Sequence, residues 1–177
     1  AADRQEVKGV FSFNSQLLAG YIRDLNETTF PHPFLIFGAL NVNAANFKQE
    51  LLKAKQKIQQ GVQAFLTQPI HSAKGLQNLQ QAHRELDAWI LGGVMPIVSY
   101  RNALYMKNEI AGIEVDDAIL SRYEHKNREE AAVLAVTIAK ATIDEMVSFV
   151  DGFYLITPFH RVEIMQQIIA HIQQMDD

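Results

Sequence analysis

Ala64-Phe65-Leu66-Thr67-Gln68-Pro69 and Ile90-Leu91-Gly92-Gly93-Val94-Met95-Pro96 decide the fold of this chain. Each is a short apolar run that ends on a polar or turn residue, and a stretch of helical periodicity, Leu76 to Leu86, lies between them. Strand, helix, strand is the crossover unit of a parallel sheet, because parallel neighbours cannot be joined by a tight hairpin. Such sheets bind ligands beyond the carboxyl ends of their strands. Gln68 and the turn from Pro96 to Asn102 therefore lie where chemistry is expected.

The same alternation extends in both directions. Upstream, Val10 to Phe13 reads as the tail of a strand. Asn14-Ser15 reads as a cap for a helix with Leu17, Leu18, Tyr21, Ile22 and Leu25 on one face, stopped by Asn26 to Thr29. After Pro31 and Pro33, the run Phe34 to Leu40 reads as a strand buried on both faces. Asn43 or Asn46 can cap a helix carrying Phe47, Leu51, Leu52, Ala54 and Ile58, ended by Gly61. Downstream, helices are expected over Ser99 to Glu109, Val115 to Tyr123 and Arg128 to Phe149. A strand over Gly152 to Ile156 and a helix over Val162 to Gln174 follow, the latter with Ile164, Met165, Ile168, Ile169 and Ile172 inward. The βα spacing is about 30 residues. Four apolar strands separated by helices indicate an α/β fold with an all-parallel sheet. A complete eight-stranded barrel takes roughly 250 residues, so residues 1–177 amount to about half of one, read as a single domain.

Bulk properties narrow the function. The net charge is −4 with both signs interspersed, which lacks the positive footprint that nucleic acid or an anionic membrane selects. There is no cysteine, so disulfide frameworks and thiolate chemistry are excluded. Apolar runs fall short of the roughly 20 residues that span a bilayer, and the polar start, Ala1 to Gly9, does not resemble a secretory signal. A cytoplasmic protein is the expectation.

Among individual residues, Gln68 stands out, since an amide offers a donor and an acceptor side by side to a planar heterocycle. The six histidines contain no HExxH pair; His71 and His160 are isolated at separate strand ends and read as ordinary loop residues, with no metal site expected. Asp116-Asp117 and Asp144-Glu145 fall on helical segments as solvated faces, not as an acid pair for glycoside cleavage. Glu50 with Lys53, Lys55 and Lys57 reads as surface pairing on the second helix, although a lysine there can also reach a cofactor phosphate. Phosphate-binding GxGxxG and P-loop motifs and the GxSxG elbow are absent.

Taken in order, Gly38-Ala39-Leu40-Asn41-Val42-Asn43, then Leu51 to Val62 (LLKAKQKIQQGV), then Phe65-Leu66-Thr67-Gln68, then Gly93-Val94-Met95-Pro96-Ile97 resemble methylenetetrahydrofolate reductase. Within that family the chain looks most like the reductase half of bifunctional homocysteine methyltransferase/methylenetetrahydrofolate reductase proteins. Gly9 to Ser15, Gly152 to Leu155 and Arg161-Val162-Glu163 also fit. The resemblance implies an eight-stranded β/α barrel that holds FAD, of which this chain is the C-terminal half, strands five to eight. It further implies that NAD(P)H reduces the flavin and that 5,10-methylenetetrahydrofolate is reduced to 5-methyltetrahydrofolate.

By the same resemblance Gln68, Asn102 and Arg161 fall on substrate-binding positions, and Glu50, Lys57 and Asn43 on cofactor-binding positions. Several family features are missing. The substrate-stacking aromatic is replaced by Met106, a flavin-side tyrosine by Leu40, and the flavin-tuning aspartate falls near Gln16. The proton-donating glutamate belongs to the first strand, in the other half. The resemblance therefore implies a fragment of the reductase without catalytic residues of its own, inactive alone. Two rival readings are a non-catalytic half-barrel that self-associates through its exposed edges and an unrelated metal-dependent hydrolase.

Overall fold

The computed structural model describes residues 13–175. Four strands, β1 (Phe37–Leu40), β2 (Ala64–Pro69), β3 (Trp89–Val94) and β4 (Gly152–Leu155), form one sheet in the order β1-β2-β3-β4, and every pair is parallel. Seven α-helices connect and cover them: α1 (Ser15–Thr28), α2 (Phe47–Gln59), α3 (Ala73–Glu85), α4 (Tyr100–Glu109), α5 (Asp117–Arg122), α6 (Arg128–Met146) and α7 (Val162–Gln173). A 3-10 turn, Val147–Phe149, continues α6. Sequential order with parallel pairing is the topology of consecutive βα units in a β/α barrel. Among the described residues β1 and β4 are the two edges of the sheet. The strand expected at Val10 to Phe13 lies outside the described residues except for Phe13, which is not in a strand.

Local signals place the helix starts. Asn14 caps α1 by accepting the Gln16 and Leu17 N–H groups at 3.1 and 2.9 Å. Asn46, rather than Asn43, caps α2, accepting from Gln49 at 3.2 Å. Ser72 caps α3 and Ser99 caps α4, and Asn127 with Glu130 forms a reciprocal capping box on α6. Gly61 follows the end of α2 at φ +100°, a left-handed conformation that glycine adopts without Cβ strain.

One face of the sheet packs on the helices. Leu40, Phe65, Ile90 and Val94 join Leu51, Leu79, Ala139, Ile143, Met146 and Ile168 in the main core. A second cluster, including Ile97, Met106, Tyr123 and Ile138, fills the space among α4, α5 and α6. Among the described residues the opposite face has no helical layer over it. The parallel register sets Phe37, Ala64 and Trp89 in one row and Ala39, Leu66, Leu91 and Gly152 in the next, and Phe37 and Trp89 are 45% and 56% exposed.

This corrects the reading of Phe34 to Leu40 as a strand buried on both faces. Phe34 and Leu35 are exposed, and the Asn26 side chain takes both the N–H and the C=O of Phe34, each at 2.8 Å. Pairing with β2 therefore begins later. On α1 the expected inward residues Leu17, Leu18 and Tyr21 are exposed, whereas Ala19 and Gly20 are buried. Leu52 and Ile169 likewise face out. Helical periodicity identified these faces, but no described element covers all of them.

The ladder between β2 and β3 is irregular where the first strand ends. Leu66 pairs with Leu91 and Pro69 with Gly93, so β2 carries one extra residue, a bulge at Thr67-Gln68. The Thr67 hydroxyl replaces a backbone acceptor there, taking the buried Gly93 N–H at 2.7 Å. A Cβ on residue 93 would stand 2.8 Å from the Thr67 carbonyl oxygen and 2.9 Å from Gln68 backbone atoms. Gly93→Ala is expected to lower stability by roughly 1–3 kcal/mol through this backbone clash. Gly92→Ala should cost less, because it meets only side-chain atoms of Met146 and Val150. Urea denaturation of the two variants gives the comparison.

Candidate functional site

The bulge fixes the direction of Gln68, which is half-buried at the carboxyl end of β2 and whose side-chain amide bonds no described residue. On the next strand end, Met95 to Ser99 turns into α4. Asn102 lies in the first turn, its Oδ1 accepting the Val98 N–H at 3.1 Å and its own N–H donating to Ser99 Oγ at 3.1 Å. The carbonyl of Asn102 thus holds the turn, and its Nδ2 remains for other partners. After β4 the chain passes through Phe159 and His160 at φ +48° and +57°. Two consecutive non-glycine residues in the left-handed region are strained. Arg161 follows, its Nε 2.6 Å from Glu163 and its side chain only 15% exposed. The Glu163 carboxyl sits below its ordinary range, held first by its own backbone N–H and then by Arg161.

Gln68, Asn102 and Arg161 therefore stand at or just beyond the carboxyl ends of three adjacent strands. The other predicted positions are engaged within the chain. Lys57 Nζ donates to the Ala39 carbonyl at 2.7 Å. Since Gln63 N–H bonds Ile36 C=O, alternation along β1 points the Ala39 carbonyl to the open edge, so Lys57 caps that edge. A Glu50 carboxylate oxygen accepts the Asn41 N–H at 3.2 Å. Asn43 is 9% exposed, donates from Nδ2 to the Pro69 and Gly112 carbonyls, and leaves Oδ1 without a described partner. Its role is to tie three loops together. Met106 is fully buried, so it presents no surface to a ligand.

A family model, Methylenetetrahydrofolate reductase, matches residues 4–173. The chain belongs to the methylenetetrahydrofolate reductase family. Among solved structures it is similar to one described as "Uncharacterized protein from Clostridium thermocellum binds two copies of 5-methyl-5,6,7,8-tetrahydrofolic acid". That match has 16% identity and a TM-score of 0.55, covers 78% of this chain and 52% of the other, and speaks to the fold alone. The chain thus spans about half the length of that structure. Among curated proteins nothing matches. The half-barrel sheet agrees with the family's fold. No described helix is long and apolar enough to cross a membrane, and no three His, Asp or Glu side chains among the described residues come close enough to hold a metal ion.

Sequence reasoning missed two residues behind the family's strand-end loop. His71 is not an ordinary loop histidine but is 6% exposed. Its backbone makes an isolated parallel bridge to Val115, the His71 carbonyl accepting from Asp116 N–H at 3.0 Å. Asp116 is not only part of a solvated helix face, since its Oδ2 accepts the Ala73 N–H at 2.9 Å and caps α3 from outside. Periodicity carries no information on such long-range contacts. Only the position of His71 beside a strand end hints at its burial.

Burial pushes the His71 imidazole down to about 4, against a smaller opposing effect of its hydrogen bond with the Met95 backbone. The folded state keeps it neutral, whereas the unfolded chain protonates below about 6.5. Stability is therefore full above pH 6.5 and falls as the pH drops toward 4, by about 3 kcal/mol in all. Denaturant midpoints measured across this range should show that slope, and His71→Phe should flatten it.

Proposed function

We propose that this chain is the folate-binding half of a methylenetetrahydrofolate reductase-type flavin oxidoreductase, in which Gln68, Asn102 and Arg161 hold the substrate. The carrying observation is Gln68: an uncommitted amide fixed at a strand end by the Thr67–Gly93 hydrogen bond. Donor and acceptor on one rigid group suit the fused heterocycle of a folate. Asn102 adds an amide Nδ2 from the adjacent loop. Arg161 adds a cation suited to an anionic part of the substrate, although Glu163 must share it. Family membership and the folate named for the similar structure support this substrate class. A place in one-carbon and methionine metabolism, within a bifunctional homocysteine methyltransferase/reductase, rests on the sequence resemblance.

FAD and NAD(P)H enter the reading through the family. When bound, FAD would carry reducing equivalents from the nicotinamide to the folate. In this chain the three positions implied for FAD do not fit it as they stand. Lys57 is bonded to an edge carbonyl, Glu50 to a backbone N–H, and Asn43 is buried among loops. The chain therefore binds folate without turnover, and the rest of the barrel supplies the flavin wall and the acid. The full chain should bind 5-methyltetrahydrofolate saturably by calorimetry, with Gln68→Ala weakening it about tenfold and leaving the circular dichroism unchanged. Equal affinity of the variant would sink the role of Gln68. A preparation that retains FAD and oxidises NADH would overturn the inactive-half reading.

A second reading, self-association, is favoured by the uncovered apolar groups. Phe37, Trp89 and Tyr154 on the sheet and Leu17, Leu18 and Tyr21 on α1 are all exposed. Two copies set head to tail would bring β4 of each to β1 of the other and close the sheet in parallel. Sedimentation should then give a dimer, and a clean monomer at high concentration would remove this reading. Lys57→Ala, which uncaps the edge carbonyl, should tighten the dimer.

A further inference from the structure

The segment from β3 to α5 runs along the strand-end rim. It leaves the carboxyl end of β3, where Asn102 Oδ1 accepts the Val98 N–H. Past α4, the Gly112 carbonyl accepts from Asn43 Nδ2 at 2.9 Å in the loop after β1, and Val115 bridges His71 after β2. The helix α4 is thus strung between the ends of β3 and β1. Its 10 residues cover about 15 Å of that path.

Packing fixes which side of α4 is free. Ala103 and Met106 are buried in the cluster with Ile97, Tyr123 and Ile138, and Lys107 pairs with Asp117 of α5. Arg101 and Tyr105, one turn apart, stand opposite the buried pair. Both are exposed, Tyr105 to 58%. Tyr105 is also three residues from Asn102, which makes the two neighbours on the helix surface, their Cβ atoms about 5–6 Å apart. Among the described residues Arg101 pairs with no carboxylate. Glu109, the acid on the same side of the helix, is two turns away, about 12 Å along the axis. Other cations near the strand ends are committed: Arg161 to Glu163 and Lys57 to the Ala39 carbonyl.

A folate joins its heterocycle through an aminobenzoyl group to a glutamate with two carboxylates. The amides of Gln68 and Asn102 suit the heterocycle, whereas the tail calls for a cation and an apolar surface. We propose that Arg101 and Tyr105 form the subsite for this tail, the Arg101 guanidinium on a glutamate carboxylate and the Tyr105 ring against the benzoyl group. A guanidinium meets a carboxylate through two parallel N–H bonds, and a tyrosine ring supplies contact area at little cost in side-chain freedom. The inference rests on the folate reading and deepens it: the subsite makes the chain select the complete folate over a pterin without the tail.

The test is calorimetry on the full chain with two probes, 5-methyltetrahydrofolate and the tail-free 6-methyltetrahydropterin. Arg101→Ala should weaken the folate about tenfold and leave the pterin unchanged, and Arg101→Lys should restore part of the loss. Tyr105→Ala should weaken the folate about threefold, and Tyr105→Phe should not. Raising the salt concentration should weaken the folate less in Arg101→Ala than in the wild-type chain. Equal folate affinity in Arg101→Ala and the wild-type chain, with Gln68→Ala still weakened, overturns the tail subsite alone. An equal loss of folate and pterin in Arg101→Ala overturns it as well. If the wild-type chain binds no 5-methyltetrahydrofolate, the substrate reading falls and the subsite with it.

Discussion

The hydrogen bond from Gly93 N–H to the Thr67 hydroxyl is the constraint around which the strand ends are organised. It lies between the two central strands, where β2 carries an extra residue. Without the hydroxyl, the bulge would leave a buried N–H unpaired, and without glycine at 93 the two backbones could not approach. Gln68 is held by this joint. Pro69 and Ile70 then lead to His71, whose carbonyl fixes the start of α5 through Asp116. One local irregularity therefore positions both the rim amide and the loop behind it.

Away from that joint the fold is asymmetric in how well it is covered. The helix-facing side of the sheet is a continuous apolar core, whereas the other face and both edges have nothing over them among the described residues. The chain meets the exposed β1 edge with a charged cap, Lys57 on Ala39, a common way to blunt an unpaired edge. This same bond removes Lys57 from the position implied for it at a cofactor.

Much of the architecture was legible because its signals are local. The Asn14 and Ser99 caps and the apolar runs at β2 and β3 depend on residues a few positions apart. Gln68 was legible as a candidate because a strand end places it on the rim. What could not be read were effects of partners distant in sequence. The Asn26 clamp delays β1, Asp116 caps a helix more than forty residues away, and Gly112 fixes Asn43. Leu17 and Ile169 have the right spacing for a core, yet spacing cannot report whether a neighbouring element exists.

The sequence by itself determined the class of fold, the order of its strands and helices, and the family to which the strand-end residues point. Periodicity and capping are short-range physics, and the order of the elements is the order of the chain. Only the tertiary structure decided which side chains are uncommitted. Among the described residues it left the Gln68 amide unbonded, tied Glu50, Lys57 and Asn43 into the chain, and buried His71 with an unpaired nitrogen. Hydrogen-bond partners and solvent access are set by elements that meet in space, and no local pattern encodes them.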